Sequence, residues 1–201
     1  MQKDLKYFTA YSSVSHCGFV LFGVATLTVM GLKGAVIQMF SHGIMTGLFF
    51  GLIGMVYGRT HTRLIPDMGG LAKVMPWLAT SFYIAGLASL GLPGLSGFVA
   101  ETHVFLGGFF GNPIMNPTAT CVLTILATMS IVVTAVYVLR GLATVFQGPI
   151  TNPEYETLTD ATLPEKIATG MLIATLLVVG IVPQYFITLI EASVMPMINR
   201  L

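Results

Sequence analysis

The chain alternates between long apolar runs and short polar connections. Apolar residues dominate five segments, 7–30, 35–57, 76–110, 118–146 and 167–182. A helix needs about 20 apolar residues to cross the hydrocarbon core of a bilayer. The first, second and fourth segments each fit one crossing, and residues 184–190 can extend the short fifth one. The pattern predicts an all-α, polytopic transmembrane helix bundle of about five spans, with a solvated loop at 147–166.

The third segment is too long for one straight helix across a membrane. Its 35 residues would extend roughly 50 Å, whereas the hydrocarbon core is about 30 Å thick. Residues 90–97 (LGLPGLSG) interrupt it with three glycines and one proline, which do not form regular helix. Unwound backbone is tolerated at that depth only where protein or a wet cavity surrounds it. We therefore expect one crossing by a discontinuous helix that unwinds in mid-membrane and then resumes.

Basic residues near the span ends predict the orientation of the chain in the membrane. Seven lie on the N-terminal side and two on the opposite side: Lys3, Lys6, Arg59, Arg63, Lys73, Arg140 and Lys166, against Lys33 and Arg200. This asymmetry predicts a cytoplasmic N-terminus, or its matrix equivalent, and a C-terminus outside. We expect Lys33 to lie at a span end with its ammonium group reaching toward water.

The composition agrees with a bilayer as the solvent. Of the 201 residues, 55% are hydrophobic and 8% are charged, with a mean hydropathy of +0.86, whereas soluble domains carry about 25% charged residues. A net charge of +1 gives no reason to expect a nucleic-acid partner. Cys17 and Cys121 lie far apart in apolar runs, so we predict neither a disulfide framework nor a metal site.

Glu101 is the one carboxylate well inside an apolar segment. A charge at membrane depth is costly and is a functional hypothesis by default. Because Glu101 follows the interruption by four residues, we expect it to start the second half-helix, where the positive end of the helix dipole favours an anion. Such a carboxyl group can exchange protons. The alternative is a structural role, in which Glu101 locks neighbouring helices together.

His16 and His42 lie near the middle of the first and second segments. Histidine titrates near physiological pH, which suits a proton relay, although a single intramembrane histidine can also serve as a hydrogen bond between helices. Two histidines together with one buried glutamate favour the relay. We expect His103, two residues after Glu101, to face another side of the helix and to have a packing or water-facing role.

Nearby hydroxyl groups leave two possibilities open. The hydroxyl groups beside the two histidines could hold the waters of a hydrogen-bonded chain, or return bonds to their own helix backbone, which is the commoner outcome. They belong to Ser12, Ser13, Ser15 and Ser41, and the same holds for Thr124, Thr128 and Thr134 in the fourth segment. The sequence has no glycine-rich nucleotide loop, no cysteine cluster for iron–sulfur and no credible nucleophile–base set. An intramembrane enzyme with its own redox or hydrolytic centre is therefore not expected.

Four blocks of the sequence resemble one family of membrane proteins. They are 10–18 (AYSSVSHCG), 34–43 (GAVIQMFSHG), 57–63 (YGRTHTR) and 87–101 (LASLGLPGLSGFVAE). In order and spacing they resemble the antiporter-like proton-channel subunits of respiratory complex I, in particular the chain M (subunit 4) group. The resemblance covers about the first 110 residues, and the remainder agrees in its hydrophobic pattern.

The resemblance implies a proton-translocating subunit of an NADH-quinone oxidoreductase, driven by quinone reduction elsewhere in the complex. Glu101 matches the family's buried glutamate, and His16 and His42 match its two central histidines. No cofactor is then expected in this chain, whereas quinone, FMN and iron–sulfur clusters are expected in partner subunits. The expected partners are other membrane subunits and the lipid bilayer. The expected location is a bacterial or archaeal plasma membrane, or an organelle inner or thylakoid membrane.

The family fold has fourteen helices with two inverted five-helix repeats, and this chain resembles the last five helices. Residues 1–201 are therefore expected to form a single membrane domain, the C-terminal part of a larger antiporter-like fold. The first half would supply a further glutamate and lysines, and His103 is not expected from the family. Three alternatives stay open: a sodium/proton antiporter subunit, a membrane-bound hydrogenase subunit, and an inactive structural or assembly fragment.

Overall fold

The computed structural model describes residues 2–111 and 116–198, which form an all-α bundle of seven helices. The helices are α1 (Leu5–Ala25), α2 (Val29–Thr60), α3 (Pro76–Ser89), α4 (Ser96–Phe110), α5 (Pro117–Phe146), α6 (Leu163–Ile181) and α7 (Gln184–Ile198). Within the described residues, α1, α2, α5 and α6 are long and apolar enough to cross a membrane. The prediction of a polytopic transmembrane bundle is confirmed.

The predicted discontinuous helix consists of α3 and α4, with an interruption between Ser89 and Ser96. The two helices have 14 and 15 residues, so each is roughly 21 to 23 Å long and neither spans a bilayer alone. Gly91 and Gly94 in the interruption have φ angles of +61° and +92°, a region that glycine adopts without steric cost. The prediction is confirmed, although regular helix resumes at Ser96 and already includes Gly97.

The boundary between the first two helices lies earlier than the pattern of apolar runs indicates. Helix α1 ends at Ala25 and α2 begins at Val29, so residues 31–34, which lie between the first two apolar segments, are helical. A Cβ atom on Gly34 would lie 2.5 Å from the backbone nitrogen of Val104 in α4. The glycines of this stretch therefore serve close packing of α2 on α4 and do not end a helix.

The last predicted span is two helices and not one extended helix. Helix α6 starts at Leu163, where Thr162 and Glu165 form a capping box, and ends at Ile181. Pro183 follows, and proline disfavours helical backbone in the residue before it and lacks an N–H group to donate. The predicted extension of the fifth span is therefore wrong, because α7 begins separately after this proline.

Lys33 does not reach toward water as expected. Its residue is 9% exposed, and its Nζ lies 2.9 Å from Oε2 of Glu191 on α7. The expectation failed because α2 begins at Val29, which places Lys33 within the helix, and because a distant segment supplies its partner. Nearby, Ile187 and Ile190 of α7 pack against a buried cluster formed by Ile37, Val99 and Ala100. Arg200, the other basic residue assigned to this side, lies outside the described residues.

Arg59 connects the C-terminal end of α2 to the start of α6. Its Nη1 and Nη2 donate hydrogen bonds to Oε1 and Oε2 of Glu165 at 3.2 and 2.6 Å, and Nη2 also donates to the carbonyl of Asp160 at 3.2 Å. The carboxylate of Asp160 in turn accepts from the backbone nitrogens of Trp77 and Leu78 at 2.9 and 3.3 Å. It thereby caps the N-terminus of α3. We call Arg59, Asp160 and Glu165 the end clamp.

The connection 147–166 is only partly the solvated loop that its polarity predicts. Glu154 and Glu156 are exposed. Tyr155, between them, is buried, and Asp160 belongs to the end clamp. The prediction is wrong for these two residues because the loop folds back onto the ends of α2 and α3.

Candidate functional site

Three helices bring His16, His42 and Glu101 together in the interior of the bundle. His16 of α1 and Glu101 of α4 are 1% and 4% exposed, and His42 of α2 is partly buried. Nδ1 of His16 lies 3.9 Å from Oε1 of Glu101. The rings of His16 and His42 have centroids 5.3 Å apart and planes inclined by 31°. The residues that the sequence indicates separately therefore form one group.

Glu101 lies deeper in its helix than expected. It is the sixth residue of α4, which begins at Ser96, and the influence of a helix dipole falls off beyond the first turn. The expectation that Glu101 starts the half-helix is wrong. Its carboxylate instead lies against Gly91 in the interruption. The contact is so close that a Cβ atom on Gly91 would overlap with Oε2 of Glu101. The unwound segment therefore provides the space that this carboxylate occupies.

Gln38 is a member of the site that sequence reasoning missed. Its Nε2 donates a hydrogen bond of 2.9 Å to Nδ1 of His16, and its residue is 2% exposed. A search for ionisable groups passes over a neutral amide. The available signal was its position four residues before His42, which puts both side chains on one face of α2. We call His16, Gln38, His42 and Glu101 the central cluster.

Two polar atoms in the central cluster are buried without a hydrogen-bond partner among the described residues. They are Oε1 of Gln38 and Nε2 of His16. Leaving a buried donor or acceptor unpaired typically costs about 1–3 kcal/mol, and such groups are few in native proteins and call for an explanation. The central cluster is therefore not arranged for maximum stability.

Hydroxyl groups extend the central cluster along α1 and α2. Oγ of Ser13 lies 2.8 Å from Nε2 of His42, and Oγ1 of Thr46 lies 3.2 Å from its Nδ1. Ser41 and Ser96 form a hydrogen bond of 2.6 Å between their hydroxyl groups, which ties α2 to the first residue of α4. Ser13 and Ser41 thus bond side chains of other helices, and these bonds do not return to their own helix backbone.

Other polar residues return their hydrogen bonds to the backbone. Oγ of Ser15 donates to the carbonyl of Ser12, and Nδ1 of His103 donates to the carbonyl of Val99 in its own helix at 2.7 Å. Hydroxyl groups of α5 donate to carbonyls one turn earlier; they belong to Thr124, Thr128 and Thr134. None of these residues bonds the central cluster through those contacts, and His103, for which a packing or water-facing role is expected, is partly buried.

The central cluster combines two imidazoles and one carboxyl group within reach of small side-chain movements. Each of these groups can bind or release a proton, and His16 and Glu101 are buried whereas His42 is partly buried. Among the residues that the structure describes, no three His, Cys, Asp or Glu side chains are grouped so that they could hold a metal ion. The chemistry that the arrangement supports is short-range proton transfer.

Comparisons with known proteins place this architecture in a family. Residues 1–128 match the family described as "NADH:quinone oxidoreductase/Mrp antiporter, TM". The NAD(P)H-quinone oxidoreductase chain 4 1 of Thermosynechococcus vestitus is 38% identical over 201 residues, which cover 99% of this chain and 38% of the relative. The chain thus spans about two fifths of the length of the curated relatives it matches.

Two solved structures have the same fold over nearly the whole chain. A chain of the respiratory complex I of Thermus thermophilus is 31% identical with a TM-score of 0.87, covering 98% of this chain and 40% of that one. A chain of the Mrp complex of Dietzia sp. has a TM-score of 0.83 and covers 96% and 42%, but at 18% identity it supports the fold alone. Since the family match covers well over half of the chain and includes His16, His42 and Glu101, this protein belongs to the NADH:quinone oxidoreductase/Mrp antiporter family.

Proposed function

We propose that this chain is part of a proton-translocating membrane subunit of a complex I-like NAD(P)H-quinone oxidoreductase. In this proposal the enzyme reduces quinone elsewhere, and this chain moves protons through His16, His42 and Glu101. The observation that carries the proposal is the approach of His16 to Glu101 at 3.9 Å, beside an interrupted helix. An ionisable group at membrane depth, facing the interior of a bundle, is typical of an ion pathway.

The transfer steps follow from the order of groups in the central cluster. A proton passes from His42 to His16 and then to Glu101, or in the reverse direction. In the second step the N–H bond at Nδ1 of His16 breaks and an O–H bond forms on Glu101, so no electron is transferred. The distance of 3.9 Å exceeds that of a hydrogen bond, so a small side-chain rotation precedes the transfer.

Charge coupling between His16 and Glu101 explains how the step could be driven. Two unit charges about 4 Å apart interact by about 4 kcal/mol at an effective dielectric constant of 20. A proton arriving on His16 therefore strongly changes the energy of an ionised Glu101. In the proposed complex, quinone reduction in partner subunits supplies the free energy for net movement of protons.

The partners, cofactors and location of the complex are part of the same proposal. Other membrane subunits would flank this chain, and quinone, FMN and iron–sulfur clusters would reside in partner subunits. Curated relatives include cyanobacterial proteins, which favours a thylakoid or plasma membrane. The distribution of basic residues supports an N-terminus in the cytoplasm and a C-terminus outside.

Replacing Glu101→Gln in the complete complex tests the proposal. The variant keeps the size of the side chain but cannot exchange a proton. In sealed membrane vesicles supplied with NAD(P)H and quinone, we expect proton uptake to fall at least about tenfold, because proton transfer by a positioned group typically contributes 10²–10⁴-fold. The amount of assembled complex, measured by native gel electrophoresis, should stay unchanged.

His103→Gln is the matched control. His103 lies on the same half-helix as Glu101 but bonds the carbonyl of Val99, so its replacement should leave proton uptake within about twofold of the parent. Normal proton uptake by an assembled Glu101→Gln complex would overturn the assignment and favour a structural or assembly role for this chain.

A sodium/proton antiporter subunit is the second candidate. The description of the matching family, which names the Mrp antiporter beside NADH:quinone oxidoreductase, favours it, and a membrane-bound hydrogenase subunit is a related possibility. The same vesicles separate these alternatives, since an antiporter moves protons in response to an imposed sodium gradient without NAD(P)H or quinone.

A further inference from the structure

One nitrogen atom of His16 faces two different side chains. Nδ1 of His16 accepts a hydrogen bond of 2.9 Å from Nε2 of Gln38, and the same Nδ1 lies 3.9 Å from Oε1 of Glu101. Gln38 therefore occupies the atom through which His16 would pass a proton to Glu101. Whatever determines whether Nδ1 carries a proton therefore also controls proton transfer from His16 to Glu101.

The hydrogen bond from Gln38 determines which ring nitrogen of a neutral His16 carries the proton. An imidazole that accepts a bond at Nδ1 has its proton on Nε2. In that tautomer His16 has no proton at Nδ1 to give to Glu101. The arrangement in the structure thus blocks the transfer, although the two residues lie close together.

Turning the side-chain amide of Gln38 by 180° reverses these roles. Oε1 then lies where Nε2 was and accepts a hydrogen bond from a protonated Nδ1. In the present arrangement Oε1 of Gln38 and Nε2 of His16 are buried without partners in the described part of the chain. Both arrangements make one hydrogen bond between the two residues, and Oε1 makes no bond to another described residue that would hold the amide in place, so the turned amide is accessible as a less populated state. The pair is a candidate two-state element.

We propose that Gln38 is a positioning residue whose amide orientation sets the tautomer of neutral His16 and so decides when Nδ1 can take a second proton and pass it to Glu101. The inference rests on the proposed proton transfer and adds its control. When a second proton reaches the ring, it binds at Nδ1, because Nε2 already carries one. The amide turns, the Nδ1–H bond breaks as the proton moves to Glu101, and neutral His16 remains with its proton on Nε2.

Nuclear magnetic resonance of ¹⁵N-histidine in the full chain, in lipid bilayers, tests the proposal directly. The two ring nitrogens have distinct shifts in each tautomer, and a His16→Gln variant identifies the signals of His16 among the four histidines. In the parent chain we expect neutral His16 to carry its proton on Nε2. A parent chain in which neutral His16 carries it only on Nδ1 would overturn the proposal.

Two substitutions at Gln38 should change the tautomer ratio in graded steps. Gln38→Met has a similar shape but no hydrogen bond, and we expect the preference for Nε2–H to fall by roughly fivefold, as loss of one hydrogen bond predicts. Gln38→Glu, when ionised, offers only acceptors and should favour Nδ1–H. The control, Gln184→Met, replaces an exposed glutamine on α7 and should leave His16 unchanged.

The two variants keep the test decisive if one of them fails to fold, which far-UV circular dichroism would reveal. An unchanged His16 tautomer in a folded Gln38 variant would refute the positioning role. Because this measurement involves no transport, it is independent of the Glu101→Gln experiment. A tautomer that responds to Gln38 together with normal proton uptake in Glu101→Gln would keep the hydrogen-bond control and reject the proton pathway.

Discussion

The central cluster and the end clamp each place an acidic side chain beside a group that can carry positive charge, buried in the cluster and partly buried in the clamp, but they pair these groups differently. In the end clamp, both carboxylate oxygens of Glu165 accept hydrogen bonds from Arg59, at 2.6 and 3.2 Å. In the central cluster, Glu101 and His16 remain 3.9 Å apart. The charged groups of the end clamp are hydrogen-bonded to each other, whereas those of the central cluster lie just beyond hydrogen-bonding distance.

The difference separates stabilisation from reactivity. A bidentate pair between guanidinium and carboxylate is strong and geometrically specific, so it holds one arrangement. Groups that are buried but incompletely paired have higher energy, and several arrangements of their protons then lie close in energy. We therefore expect substitutions in the end clamp to change stability, and substitutions in the central cluster to change proton transfer.

Arg59→Leu should have the largest effect on stability. It removes both hydrogen bonds to Glu165 and leaves a partly buried carboxylate without its partner, so we expect a loss of about 3 kcal/mol in the free energy of unfolding. Unfolding in detergent, followed by the fluorescence of Trp77, the single tryptophan, measures this loss. Arg63→Leu is the control, because Arg63 is 43% exposed and 3.8 Å from Asp4, and such pairs contribute about 0–1 kcal/mol. Equal losses in the two variants would contradict the role of the end clamp.

Gly91→Ala should have an intermediate effect on stability and also alter proton transfer. The added Cβ meets a positive φ angle and the carboxylate of Glu101, so we expect a loss of about 2 kcal/mol together with slower proton uptake in the complete complex. Gly94→Ala is the matched control, since Gly94 also has a positive φ but has no atom within 4 Å of the added Cβ. It should lose stability without slowing proton uptake. If both variants slow uptake equally, contact with Glu101 is not the cause.

Glu101→Gln should have the smallest effect on stability. The amide has the size of the carboxyl group, and the ion pair it removes is 3.9 Å long, so we expect a change within about 1 kcal/mol of the parent. The same unfolding measurement applies. A loss as large as that of Arg59→Leu would show that Glu101 is a structural anchor, and the contrast between the two regions would disappear.

Much of the architecture could be predicted from one-dimensional patterns. Run lengths gave the membrane spans, and the arithmetic of helix length against bilayer thickness revealed the interruption between α3 and α4. The resemblance of four blocks to one family indicated His16, His42 and Glu101 together. The predictions of spans succeed because each span must by itself have an apolar composition that suits the bilayer.

Several features that the sequence did not indicate depend on contacts between distant segments. Residues 31–34 look like a helix break, but their glycines allow the close approach of α2 to α4, which no local rule reports. Lys33 looks like a residue reaching toward water until α7 supplies Glu191. Gln38 is uncharged, and its importance becomes visible only when His16, 22 residues earlier, is found beside it. Tertiary contacts decided each of these cases.

The close approach at Gly34 has a consequence for electrical leakage. A membrane that stores energy as an ion gradient loses it through any continuous file of water. At Gly34 the backbone of α2 lies so near Val104 that even a methyl group would crowd the facing nitrogen, so no water molecule fits between the helices there. Beside a path that conducts protons, this close contact between α2 and α4 would limit the leakage of protons through water.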